Sequence, residues 1–295
     1  MAARLRVAIT QSELVYLDLK ASIKKACRLV AEAAGNGAKL VAFPECWVPG
    51  YPAWIWARPV DTELQTRYIY NALPVESEAM DHVKATAREN SMAVMLGFSE
   101  RSPTDSFCIS QAIISPAVRA RRAFDGPDLL DHVASIDFGC PDHGGQVSPL
   151  LKYHTMAQGE AIHVAMWPPL ASVPADRPGG LWRMTAEGCQ NLSQTYAVES
   201  VAYVLHSSAV CSQQSIDLLR MEQGMACSEL GGGHSCVIAP DGRHLTEPLD
   251  GDEAGAVMAT RGFLDVIGHY TRPDLLWLGV DKWKREVVVR SDPSQ

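Results

Sequence analysis

Leu40-Val41-Ala42-Phe43-Pro44-Glu45 is where the fold becomes readable. Four apolar residues run without interruption and stop at a proline and an acid, the pattern of a short strand buried on both faces. Upstream, Leu5 to Thr10 is a second short apolar run rich in β-formers. Between the two, Leu17 to Gly35 carries Leu19, Ile23, Ala26, Val30 and Ala33 at three- and four-residue spacing, which predicts an amphipathic helix. Gly35-Asn36-Gly37 is a stop signal for that helix. Strand, helix and buried strand in this order form a right-handed βαβ unit.

The same rhythm continues downstream. Val75 to Asn90, with Met80, Val83 and Ala87 on one side, reads as a helix, followed by strands over Met92 to Phe98 and Phe107 to Ser115. Ala161 to Trp167 and Ala202 to Ser207 read as strands around a helix over Gly188 to Glu199. Ser235 to Ala239 and Gly255 to Thr260 flank the turn Pro240-Asp241-Gly242 and are expected to pair as a hairpin. The whole is an α/β protein with a mixed sheet or two packed sheets. One domain is expected over residues 1–280, and the charged Asp281-Lys282-Trp283-Lys284-Arg285-Glu286 opens a frayed tail over 281–295.

Composition narrows the classes. Of 295 residues, 47% are hydrophobic and 20% charged, which is the balance of a chain with a substantial core. A net charge of -8 argues against a broad electrostatic grip on nucleic acid. There is no apolar run of about 18 residues, so no membrane-spanning helix is expected. Met1-Ala2-Ala3-Arg4-Leu5 leads straight into strand-like sequence, which points to a cytoplasmic protein. The eight cysteines are scattered with no C-x-x-C pair, so neither a disulfide framework nor a metal cage is expected.

Two features could carry chemistry. Glu45 stands where a fully apolar strand ends, and in α/β sheets the carboxyl ends of strands face the ligand crevice. A partly desolvated carboxylate there suits a general base, although a carboxylate that merely caps the strand exit would look the same. Next comes Val48-Pro49-Gly50-Tyr51-Pro52-Ala53-Trp54-Ile55-Trp56, too dense in aromatics and turn-formers for a regular element. Tyr51 and Trp54 there either wall an apolar substrate pocket or plug the core.

Several segments together resemble the nitrilase, or carbon–nitrogen hydrolase, superfamily, in its nitrilase and cyanide-hydrolysing branch. They are Leu40 to Glu45 with Pro49-Gly50-Tyr51-Pro52; Ile109 to Pro116; Lys152-Tyr153; and His163-Val164-Ala165-Met166-Trp167-Pro168. Gly231-Gly232-Gly233-His234-Ser235, Pro240-Asp241-Gly242 and Gly268-His269 with Tyr270 to Asp274 complete the set. The resemblance implies an α-β-β-α sandwich that assembles as a homo-oligomer. It implies no metal and no organic cofactor. A glutamate takes a thiol proton, the cysteine attacks a small nitrile, a lysine stabilises the tetrahedral species and a second glutamate supports the site. Only a thiolate adds readily to a nitrile at neutral pH. Glu45 matches the first glutamate, and Trp167 would line the pocket.

The middle of the chain departs from that pattern. No lysine occurs between Lys84 and Lys152, and in Arg119-Ala120-Arg121-Arg122-Ala123-Phe124 the lysine's place falls on Ala123. No glutamate occurs between Glu100 and Glu160, and Ala117 to Ser148 is shorter than its counterpart in relatives. Where relatives read C-W-E-H-x-x-P-L, this chain reads Cys140-Pro141-Asp142-His143-Gly144-Gly145-Gln146-Val147-Ser148-Pro149-Leu150. Counting back without gaps puts His143 at the nucleophile's position; using Cys140 needs three extra residues. Cys140 is therefore either a shifted nucleophile or an ordinary loop thiol. The resemblance leaves three functions open: a nitrilase of impaired activity, an inactive member that serves in assembly or binding, and a cyanide hydratase or amidase. Elsewhere, His163 is expected to be a satisfied core histidine, Glu160 and Glu199 to be solvated or bound to backbone, and the glycines of 231–233 to make a tight loop rather than a phosphate cradle.

Overall fold

The computed structural model describes residues 5–58, 60–102, 107–115, 149–156, 160–172, 181–222, 227–249 and 255–260. The opening βαβ unit is there. β1 (Arg6–Gln11) and β2 (Leu40–Ala42) are parallel neighbours, Val7 opposite Leu40 and Ile9 opposite Ala42. The helix α1 (Leu19–Gly35) that joins them starts where the Asp18 carboxylate accepts the Ala21 N–H at 2.9 Å. After α2 (Thr62–Asn71) and α3 (Glu78–Glu89), β3 (Ala93–Arg101) adds parallel to β2, and β4 (Phe107–Ile114) returns antiparallel to β3. Then come α4 (Pro149–Met156), β5 (Ile162–Trp167), α5 (Ala186–Ser200), β6 (Tyr203–Ser208), α6 (Gln213–Leu219), β7 (Cys236–Ile238) and β8 (Gly255–Thr260).

Two sheets result, ordered β4-β3-β2-β1-β8 and β5-β6-β7. Because successive strand side chains point to opposite faces, the burial pattern gives the layering. Val7, Ile9 and Ala42 from the first sheet meet Val164, Met166, Leu205 and Val237 from the second in one apolar cluster between the sheets. The intervening Ala8, Val41, Ala165 and Val204 belong instead to the cluster that holds the apolar faces of α1, α3 and α5. Helices outside and two sheets inside make the α-β-β-α sandwich that the resemblance implied. A parallel bridge between Glu13 and Val210 joins the extensions of β1 and β6, so the carboxyl ends of both sheets' central strands lie together.

Several expectations need correction. β7 and β8 do not form a hairpin: β7 pairs antiparallel with β6, and β8 pairs antiparallel with β1 in the other sheet. The turn at Pro240-Asp241-Gly242 does close, with Gly242 N–H donating to Ala239 at 2.8 Å, but its returning arm is the short stretch around His244. Two strands at hairpin spacing do not reveal that the second crosses to the other sheet. The aromatic loop also contains a regular element, a 3-10 turn over Ala53–Trp56. Glu160 binds side chains rather than backbone, accepting from Tyr196 at 2.7 Å and meeting His163 at 2.9 Å, whereas Glu199 is solvated as expected and pairs with Lys152 at 2.5 Å. His163 is satisfied as expected, stacked on Tyr196 with ring centroids 3.8 Å apart. The glycine loop leads into strand β7 and not a helix, so it lacks the geometry of a phosphate cradle. The domain end at 280 and the tail over 281–295 lie outside the described residues.

One glycine sets how β2 leaves the sheet. A Cβ on Gly97 of β3 would stand 2.4 Å from the Pro44 carbonyl oxygen, 2.9 Å from the Met166 sulfur and 3.1 Å from the Glu45 Cα. Two of those three contacts are backbone, so the neighbours have little room to yield. Gly97→Ala is expected to cost about 1–3 kcal/mol of stability through overpacking, read as a lower urea midpoint at unchanged slope.

Candidate active site

Glu45 is 6% exposed and sits just past the carboxyl end of β2. The backbone around it is held from both sides. Phe43 N–H donates to the Met95 carbonyl at 2.9 Å before the exit, and Gly50 N–H donates to the Cys46 carbonyl at 2.9 Å after it. Cys46 takes a left-handed conformation with φ 47°, uncommon for a residue with a Cβ. It is held there from β3: Ser99 donates its hydroxyl to the Cys46 sulfur at 3.5 Å, and Ser99 N–H donates to the Val48 carbonyl at 2.7 Å. Tyr68 of α2 hydrogen-bonds the same Ser99 hydroxyl. Gly50 has φ 106° and faces the Tyr16 ring so closely that a Cβ would lie 2.3 Å from it.

The aromatic loop then folds back beside the carboxylate. Tyr51 is 1% exposed, and its hydroxyl accepts the Trp56 indole N–H at 3.0 Å. Burial first, and then the negative charge of Glu45, push the Tyr51 phenol well above its usual pKa. Trp54 is buried with its ring edge-on to Tyr68, centroids 5.3 Å apart. Trp167 ends β5 and is buried beneath α5, where its indole N–H donates to Ser193 at 3.2 Å. Of the residues singled out in the sequence, Glu45 and Tyr51 are thus electrostatic neighbours, Trp54 packs on Tyr68, and Trp167 sits on the helix side of the second sheet. Cys140, Asp142, His143 and the segment around Ala123 lie outside the described residues.

Among the described residues, three thiols feel the Glu45 charge: Cys46, Cys189 and Cys227. All three are buried. Burial, then Glu45, raises the pKa of Cys46 and of Cys189. Cys227 is raised by its hydrogen bond with the Cys211 thiol, then by burial. A thiol held protonated in this way is a poor nucleophile. None of the three is prepared to act as a nucleophile. The positions of Cys189 and Cys227 near Glu45 carried no local signal, since each arrives from a distant part of the chain.

A second polar unit went unrecognised in the sequence. His206 and Ser193 are both fully buried, and Ser193 Oγ lies 2.9 Å from His206 Nδ1. An indole N–H only donates, so Ser193 accepts from Trp167, and its second contact is the hydrogen bond it shares with Nδ1. Burial favours the neutral imidazole there. The signal was a histidine inside the otherwise apolar run Tyr203-Val204-Leu205-His206.

Comparison with known proteins gives the family and the fold. The carbon-nitrogen hydrolase family pattern matches residues 6–119. An arylacetonitrilase of Fusarium vanettenii is 59% identical over 327 aligned positions that span 98% of this chain and 96% of the relative. The chain belongs to the carbon–nitrogen hydrolase family. An arylacetonitrilase of Macrophomina phaseolina is 48% identical, with 100% of this chain and 96% of the relative covered. Among solved structures, a mutant of the Nesterenkonia AN1 amidase from the nitrilase superfamily shares the fold, with TM-score 0.56 and 17% identity over 89% of this chain and 92% of that one. The alignment with the Fusarium relative is longer than the 295 residues available here, so that carbon–nitrogen hydrolase carries residues this one lacks. The family pattern stops at 119.

The buried histidine makes stability depend on pH. Burial, then the charges of His234 and His244, lower the His206 pKa to about 3. An unfolded histidine titrates near ~6.5. Between those values the unfolded chain binds the extra proton, so the contribution of His206 is full above ~6.5 and is lost as pH falls towards 3. His206→Asn, whose side-chain amide can still hydrogen-bond Ser193, is expected to flatten the fall by up to about 1.4 kcal/mol per pH unit, measured by urea unfolding from pH 4.5 to 7.

Proposed function

We propose that this chain is a nitrilase that converts arylacetonitriles to arylacetic acids and ammonia. The observation that carries the reading is the buried Glu45 carboxylate at the carboxyl end of β2, walled by an aromatic loop, in a chain matched end to end by arylacetonitrilases. Glu45 acts as general base on the Cys140 thiol, and the thiolate adds to the nitrile carbon to give a thioimidate. One water releases ammonia and leaves a thioester; a second releases the acid. Glu45 serves each step by moving one proton. Tyr51 and Trp54 supply apolar surface for the aryl ring. The enzyme works as a homo-oligomer of one domain, in the cytoplasm, with nitrile as its small-molecule partner.

Its turnover is set low by the missing lysine. Arg121 and Arg122 bring positive charge to that stretch, but a guanidinium stays protonated and does not exchange a proton with the reacting nitrogen. Loss of one charge-stabilising group costs about 100-fold in kcat. A second reading, an inactive member that serves in assembly, is favoured by the absence of lysine between Lys84 and Lys152.

The test is ammonia release from phenylacetonitrile and from aliphatic and aryl nitriles, with formamide from cyanide and ammonia from amides as further readouts. Slow phenylacetonitrile turnover, abolished by Cys140→Ala and by Glu45→Gln, is the expected result. Turnover at the rate of intact arylacetonitrilases would reject the impaired site. Silence on every substrate from a folded protein would select the assembly reading, and formamide or amide turnover alone would select a cyanide hydratase or amidase.

A further inference from the structure

The Tyr51 hydroxyl has one bond already committed and one proton to place. Its oxygen accepts from Trp56 at 3.0 Å, and because an indole N–H cannot accept, the phenol proton points away from that contact. No described side chain receives it. The ionisable groups in electrostatic contact with it are Glu45, Cys46, Cys227 and Tyr68, and the residue is 1% exposed. Burial and the neighbouring carboxylate keep the phenol protonated across the working pH range. A buried donor that meets no acceptor costs about 1–3 kcal/mol, and a nitrile nitrogen beside Glu45 would be such an acceptor.

We propose that the Tyr51 hydroxyl is a catalytic hydrogen-bond donor to the nitrile nitrogen, and that Trp56 is the positioning residue that fixes the direction of the donation. The proposal rests on the nitrilase reading. As the thiolate sulfur bonds to the nitrile carbon, one carbon–nitrogen π bond opens and its electron pair moves to nitrogen. Tyr51 stabilises that charge and keeps its own proton. The proton that completes the thioimidate N–H is the one Glu45 took from the thiol. The donor is neutral and fixed before reaction, so it needs no reorganisation as charge develops.

Three variants test it: Tyr51→Phe, Trp56→Phe and the double variant, each checked for native circular dichroism. On phenylacetonitrile, Tyr51→Phe is expected to lower kcat by about 100-fold with KM within about twofold of wild type. Trp56→Phe should lower kcat less, and the double variant should match Tyr51→Phe alone. A kcat for Tyr51→Phe within about threefold of wild type, or a loss confined to KM, overturns the proposal. Should Tyr51→Phe fail to fold, Trp56→Phe carries the test, and an unchanged kcat there overturns it.

Binding of phenylacetaldehyde, which adds a thiol to form a hemithioacetal, separates this idea from the nitrilase reading. Weakening of its Kd by about tenfold or more in Tyr51→Phe supports the donor even if wild type releases no ammonia, in which case the nitrilase reading alone falls. Equal binding by wild type and Tyr51→Phe overturns the donor alone, and no binding by wild type overturns both.

Discussion

A carboxylate can serve as a base in a sandwich of two sheets only if its backbone leaves the first sheet without being buried out of reach. Here the exit happens across Gly97. Pro44 and the Glu45 Cα rest on a position of β3 that has no side chain, with Met166 of the second sheet on the other side. A strand of three residues, β2, is long enough to align the exit but too short to absorb an error in it. The close approach therefore sets the height at which Glu45 stands, and the left-handed Cys46 that follows, bonded from Ser99, turns the chain into the aromatic loop.

The thiols around Glu45 show how burial selects among eight cysteines. A negative charge within an apolar shell favours protonated neighbours, so Cys46, Cys189 and Cys227 are suited to filling space. The same field favours a neutral phenol at Tyr51 and so preserves it as a donor. One charge thus leaves sulfur inert and oxygen useful, because the two groups are asked for opposite things: a nucleophile has to lose its proton and a donor has to keep it.

Much of the frame was legible because its signals are periodic. The apolar stripe of α1 and the run before Pro44 predicted both elements to within two residues, since burial on one helical face or on both strand faces leaves a local mark. Sheet membership left no such mark. β8 looks like the partner of β7 by spacing, yet pairs with β1 from the far end of the chain. The site was legible at Glu45, whose place after a buried strand is a local fact, and at the aromatic loop. Ser99, Ser193, Cys189 and His206 were not, because a buried polar residue declares its role only through a partner brought by the fold.

The contacts that join the carboxyl ends of β1 and β6 span most of the chain. Gln11 accepts from Ser235 N–H at 2.7 Å across 224 positions, and Glu13 accepts from Ser212 N–H at 3.2 Å across 199. Ser207 donates to the Thr10 carbonyl across 197. Bringing such remote segments together costs loop-closure entropy before any contact rewards it. This end of the sandwich is consequently one that neither half of the polypeptide assembles alone. A nascent chain released after β4 has Glu45 in its sequence but no opposing sheet to set it against.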